Sequence, residues 1–277
     1  MLKIKSTALI TVLILALIAS GCSNKKGSES EAALSTKPPA AEQTSLDQLK
    51  EKGEFVIATT GTYPPYAFHE ESNVRPLTGF DIELLTEIWN RVEGVKPSFK
   101  EAEWDGMLAG LDAGRFDSIH QIGVTDERRQ KYDFTDPYLI AYPTLIVLDE
   151  TKDINSFEDL KGKKVYGSNT SIYGKLAESY GAVLVPEGES LELLKNKRVD
   201  AIIFNNLYFL EIKKSRTDLK LRAADEADTE EFVALPLVKG GDGTVATAFN
   251  EALKSVQEDG TYEKLSVKWF GENVLKS

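Results

Sequence analysis

Apolar residues recur along this chain with two different periods, and the switches between them mark out its elements. Phe55–Thr59 (FVIAT) is a continuous apolar, β-rich run that predicts a buried strand. Gly61–Tyr66 (GTYPPY) follows and predicts a loop, since paired prolines stop both helix and ladder. Asp81–Val92 sets Ile82, Leu85, Ile88, Trp89 and Val92 at helical spacing, with Asp81 suited to its start. Glu103–Ala113 reads as a second helix and Phe116–Ile119 as a short strand. A similar alternation begins near Tyr142, with strands over Thr144–Leu148, Lys164–Tyr166, Ala182–Val185 and Val199–Phe204. Helices over Ser171–Tyr180, Ser190–Lys197 and Asn206–Lys214 lie among and after them. Phe232–Leu237 is a last β run, and Val245–Glu258 and Thr261–Phe270 close the chain as helices.

Strands alternating with helices predict α/β layers with parallel strands. The alternation falls into two halves, lobe 1 over residues 46–141 and 237–277 and lobe 2 over residues 142–236. The chain then crosses between lobes near Tyr138–Tyr142 and returns near Leu235–Lys239. Two crossings make a hinge, and a small ligand belongs in the cleft between the lobes.

Residues 1–21 have the pattern of a signal peptide. Lys3 and Lys5 precede the nearly all-apolar Ser6–Ile18, which is shorter than the ~20 residues of a spanning helix. Ala19, Ser20 and Gly21 run straight into Cys22, as in a bacterial lipobox, so Cys22 is expected to carry a lipid. Residues 22–45 are then an anchor and tether, rich in Ser, Lys, Glu, Ala and Pro and without an apolar period. The expected location is the extracytoplasmic face of the membrane in the cell envelope, held there by the lipid alone.

An apolar share of 42% and a charged share of 28% are those of a globular protein. The net charge of −11, without a basic cluster, argues against a nucleic-acid partner. One cysteine excludes an internal disulfide framework, and two histidines far apart, His69 and His120, argue against a metal cage. No metal or cofactor is expected, and the chain reads as a monomer.

The most concentrated chemistry is Gly123–Tyr138 (GVTDERRQKYDFTDPY). An arginine in a loop between two folded halves can anchor a carboxylate, because its planar fork donates two parallel hydrogen bonds. Arg128 is the candidate. The helix expected to begin at Ser171 offers free N–H groups to the same anion, while Thr170 and Ser171 also suit a plain N-cap.

Several motifs in order, GTYPPY, LTGFD, WDGMLAGLDAGRF, TDERRQKYDFTDPY, DLKGKK and DGTYEKLSVKWFG, resemble the family 3 extracellular solute-binding proteins of polar amino-acid ABC transporters. The runs EWDGMLAGLDAGRFD and SNTSIYGKLAESYGA are most similar to the cystine-binding branch. The resemblance covers Ser45–Ser277 and implies an α/β, two-lobed, periplasmic-binding-protein-like (type II) fold with two hinge crossovers. It also implies that Arg128 holds the α-carboxylate of the ligand, assisted by Thr170 and Ser171. Tyr63 and Trp104 would sandwich the ligand side chain, and Gln121 and Gly123 would offer backbone groups. Tyr66 and Phe68 are assigned to lobe packing, and Asp200 to a structural role.

Two departures from the family pattern stand out. Asn205 occupies the place of the Asp that pairs with the α-ammonium, so the ligand keeps a carboxylate but need not be a standard zwitterion. Asp117–Arg128 is also one residue short near Ile119–His120, and His120 is read as a solvated loop histidine with the cleft as the alternative. The implied function is capture of an amino acid or related small carboxylate for an ABC permease. The rivals are a sensor that reuses the binding fold to signal to a partner, and a dehydratase-like enzyme.

Overall fold

The structure, a computed structural model, describes residues 43–70 and 75–275. The leader, Cys22 and all of the tether before Gln43 lie outside the described residues. The first described helix, Ser45–Lys52, begins at the last residue assigned to the tether. Thr44 and Asp47 close its N-terminus as a capping box.

The FVIAT run forms the middle strand of lobe 1. Glu54–Thr59 is buried from Phe55 onward and lies parallel to both Lys96–Glu101 and Ser118–Ile119. Helix Phe80–Asn90 packs its apolar face beside this sheet, and Trp89 stacks on Phe55 with ring centroids 4.1 Å apart. Burying side chains of this size contributes roughly 2–3 kcal/mol each. The C-terminal helices Thr244–Glu258 and Thr261–Phe270 cover the same core, with Phe249 against Trp89 and Tyr262 against Phe80.

Gly79 fixes the GTYPPY loop to that core. The amides of Phe80 and Asp81 donate to the carbonyls of Pro65 and Tyr66, at 2.7 and 3.0 Å. A Cβ at Gly79 would sit 2.2 Å from the Tyr66 carbonyl oxygen, and its φ of 131° is a glycine conformation. The expected loop also contains a two-residue strand, Thr62–Tyr63, paired with Ala67–His69.

Lobe 2 is a five-stranded sheet in the order Val183–Val185, Lys164–Tyr166, Ala201–Asn205, Pro143–Leu148, Leu221–Glu226. The first three run parallel, but Pro143–Leu148 is antiparallel to both of its neighbours. The expectation of parallel strands fails there, because hydrophobic period reveals that a segment is a strand but not which end of the sheet it enters from. Lys96–Glu101 and Leu221–Glu226 were not anticipated either. Both are edge strands with charged residues, as edges exposed to solvent commonly are.

Between the lobes, Ile122–Gly123, Glu231–Ala234 and Leu139–Ala141 form a small antiparallel sheet. Glu231 is paired with Ala141 and Val233 with both Leu139 and Gly123. Strands Tyr132–Phe134 and Pro236–Val238 extend the connection toward lobe 1. The outgoing and returning chain segments therefore lie side by side. No described helix is long and apolar enough to cross a membrane.

Candidate functional site

A cavity of about 660 Å³ lies between the lobes, the size of a small-molecule site. Its lining includes Tyr63, Trp104, His120, Gln121, Gly123 and Arg128 on one side and Ser171, Tyr173, Phe204 and Tyr208 on the other, with Glu231 from the hinge.

Arg128 sits in the short helix Asp126–Lys131, whose N-cap Thr125 accepts from the Arg128 amide. The turn directs the guanidinium into the cavity corner, where only 9% of the residue is exposed. Its Nη1 donates to the Gly123 carbonyl at 2.8 Å and its Nη2 to the Thr170 carbonyl at 2.9 Å. Burial lowers its pKa and the Glu231 charge opposes that shift. An arginine stays charged through such changes. The remaining N–H groups of the fork can serve an anion.

Ser171 and Thr170 divide the roles expected of them. Ser171 caps helix Ile172–Ser179 by accepting from the Gly174 amide at 2.9 Å, and it lines the cavity. Thr170 does not line the cavity. Its hydroxyl donates to Asp105 at 2.6 Å and accepts from the Trp104 indole at 2.9 Å, clasping the lobes at the cleft mouth. Ser168 reinforces the clasp through Asp105, and Lys175 pairs with Glu127 across the same edge. Within lobe 2, Gly174 lets the helix start lie against the Ser168 loop, since a Cβ there would lie 2.0 Å from the Ser168 carbonyl oxygen.

Asn205 is not where the family pattern implies. It is fully buried and outside the cavity lining, and its Oδ1 already accepts two hydrogen bonds. These come from the Tyr208 amide at 2.9 Å and the Tyr66 hydroxyl at 2.6 Å. The residue caps helix Asn206–Ser215 and ties lobe 1 to lobe 2 through Tyr66, leaving its Nδ2 buried with no partner among the described residues. Tyr66 packs as expected, and so does Phe68, edge-on to Trp269. Asp200 accepts from the Lys164 amide at 2.7 Å, a structural bond.

Tyr63 meets an aromatic wall that belongs to lobe 2. Its ring centroid lies 5.5 Å from that of Phe204 and 5.1 Å from that of Tyr208, and Tyr173 packs on Phe204 at 5.7 Å. No ring contact joins Tyr63 to Trp104 among the described residues. The wall was missed because Tyr166, Tyr173, Phe204 and Tyr208 read as core positions of strands and helices.

His120 is buried, with 3% exposure, so the solvated-loop reading is wrong. Its Nδ1 lies 2.9 Å from Asp81 and its Nε2 2.8 Å from Thr59. Asp81 also accepts from Tyr138 at 2.7 Å and from the Gln121 side chain. The Gln121 amide donates to the Tyr138 hydroxyl at 2.9 Å, so that backbone donor is already engaged. Gln121 takes φ 54°, and both its amide and its side chain join this network. Gly123 likewise spends its carbonyl on Arg128.

The residue that sequence reasoning missed is Glu231, which opens the returning hinge strand. It is 7% exposed, and its Oε2 accepts from the Tyr173 hydroxyl at 2.7 Å. Burial pushes its carboxyl up to about 7, against the pull of the Tyr173 bond and the Arg128 charge. It has no salt bridge within 4 Å among the described residues. In sequence it was one acid among many in DEADTEEF. Among the described residues no group of three or more His, Cys, Asp and Glu could hold a metal ion.

Comparison with known proteins agrees with this architecture. Residues 55–272 match the family described as bacterial extracellular solute-binding proteins, family 3. The L-cystine-binding protein TcyA of Bacillus subtilis is 39% identical over 232 residues, covering 82% of this chain and 85% of that protein. An ancestral arginine-binding protein bound to arginine superposes with a TM-score of 0.71 at 32% identity, covering 79% of this chain and 99% of that one. The L-cystine solute receptor of Neisseria gonorrhoeae, in an unliganded open conformation, gives 0.54 at 34% identity, covering 83% and 98%.

Proposed function

Because the chain belongs to the bacterial extracellular solute-binding proteins, family 3, we propose that it captures an amino acid or related small carboxylate between its lobes for an ABC permease. The observation that carries this reading is Arg128, a lobe 1 cation that lines the cavity and donates to the Thr170 carbonyl of lobe 2. A carboxylate bound at its free N–H groups would touch both lobes at once, with Ser171 and the helix start behind it as the second set of donors. Such a ligand has contacts in the closed form that the open form lacks, which is what shifts the equilibrium.

The lobes in this structure are clasped by Trp104, Asp105, Thr170, Tyr66 and Asn205. The higher TM-score with an arginine-bound relative than with an open cystine receptor supports a closed reading of this form. Tyr63 and the lobe 2 aromatics would pack on the ligand side chain. The names of the relatives make cystine the first candidate and arginine the second. Lipidation at Cys22 would hold the protein at the extracytoplasmic face of the membrane, within reach of the permease.

Calorimetry of the twenty standard amino acids, L-cystine and simple carboxylates tests the capture. Arg128→Ala is expected to weaken binding at least a hundredfold while the protein still melts cooperatively. Undiminished binding by that variant would refute the carboxylate grip. Mass spectrometry of the N-terminal peptide from the membrane fraction checks the lipid on Cys22.

A further inference from the structure

The pocket contains a buried acid on the hinge, and the acid expected from the family pattern is replaced by an amide that is otherwise engaged. We infer that Glu231 is the acceptor for the ligand's ammonium group, so that the site selects a zwitterionic α-amino acid although Asn205 is not an acid. This rests on the capture reading above and adds the source of the counter-charge.

Three observations carry it. Asn205 cannot accept from a ligand as it stands, because Tyr66 and the Tyr208 amide share its Oδ1 and the residue lies outside the cavity lining. Glu231 does line the cavity and is more than nine-tenths buried. Its Oε2 holds the Tyr173 hydroxyl, whereas its Oε1 has no hydrogen-bond donor among the described residues and lies only 3.1 Å from where a Cβ on Gly123 would sit. Gly123 is also the residue whose carbonyl holds Arg128. Carboxylate donor and ammonium acceptor thus share one corner of the pocket, as an α-amino acid requires with both charged groups on one carbon. The Tyr63 hydroxyl is buried near Glu231, and its oxygen lone pairs can serve an ammonium as a second acceptor.

The groups facing Glu231 are Arg128 from helix Asp126–Lys131, Tyr173 from helix Ile172–Ser179, and Tyr63 and Tyr66 from the GTYPPY region. Burial raises all three tyrosines well above their ordinary value, and Arg128 keeps its charge, so Glu231 is the member of this set that titrates near neutrality. An arriving ammonium would favour its ionised form.

The test uses the full folded chain, L-cystine and its deamino counterpart 3,3′-dithiodipropionate, with the twenty standard amino acids as a parallel panel. Titrations run at pH 5.5 and pH 8 on wild type, Glu231→Gln and Asn205→Asp. The expected result is that wild type prefers an amino acid over the deamino diacid at least tenfold at pH 8, with a smaller preference at pH 5.5. Glu231→Gln should lose at least tenfold for the amino acid, keep its affinity for the diacid, and lose the pH effect. Asn205→Asp should change amino-acid affinity less than threefold. Unchanged affinity and pH dependence in Glu231→Gln would overturn the role of Glu231 and leave the Arg128 grip standing. Equal binding of diacid and amino acid by wild type would overturn ammonium recognition altogether. Binding of no amino acid and no diacid would overturn the capture reading and this one with it.

Discussion

Replacing Glu231 by Gln should make the ligand-free protein more stable, and only above the acid range. The carboxyl is raised from 4.5 to about 7 by burial, so the folded state holds its proton more tightly than the unfolded chain does. Below pH 4.5 both states are protonated and the site carries no penalty. As pH rises from 4.5 to 7 the unfolded chain ionises first, and stability is lost across that window. Above it the loss is constant, and a shift of this size corresponds to about 3 kcal/mol. Gln fills the same volume and can still accept from the Tyr173 hydroxyl, so the packing of Tyr173 and Gly123 around it should persist. In a chain of this length each kcal/mol is worth about 2–4 °C in melting temperature. Melts of wild type and Glu231→Gln at pH 4.5 and pH 8 should therefore nearly coincide in acid and separate by at least roughly 6 °C at pH 8. Curves that keep the same spacing at both pH values would refute the idea that an uncompensated buried charge resides at this position.

Two other substitutions probe the packing of lobe 2 behind the clasp and the clasp itself. Gly174→Ala drives a Cβ to 2.0 Å from the Ser168 carbonyl oxygen, and overpacking of this kind costs about 1–3 kcal/mol. A lower melting temperature is expected although alanine is the better helix former, and a rise would mean that the loop at Ser168 yields freely. Thr170→Val removes the bonds to Asp105 and Trp104, which exist only with the lobes together. At this partly exposed site their loss should weaken closure by about 1 kcal/mol, or roughly five- to tenfold in ligand affinity. Small-angle scattering should show a larger open fraction, and an unchanged profile with unchanged affinity would count against the clasp.

Much of this protein follows from local pattern. FVIAT is apolar throughout and is the middle strand of its sheet; the periodic segments of both halves became helices within a few residues of their expected bounds. The prominence of Arg128 was also legible, because an arginine pair in a polar turn between two folded halves has little else to do. Three things were decided only by tertiary structure. The direction of Pro143–Leu148 depends on where the chain enters lobe 2, which no periodicity encodes. His120 became a buried partner of Asp81, a residue 39 positions away, because the strand ending at Ile119 delivers it beside the start of helix Phe80–Asn90. Glu231 gained its place beside Arg128 and Tyr173 because the returning strand runs alongside the outgoing one, which brings a surface-like run of acids to the cavity wall. Sequence specifies which residues prefer burial or charge. Which charges meet is set by how segments distant along the chain close around the same space.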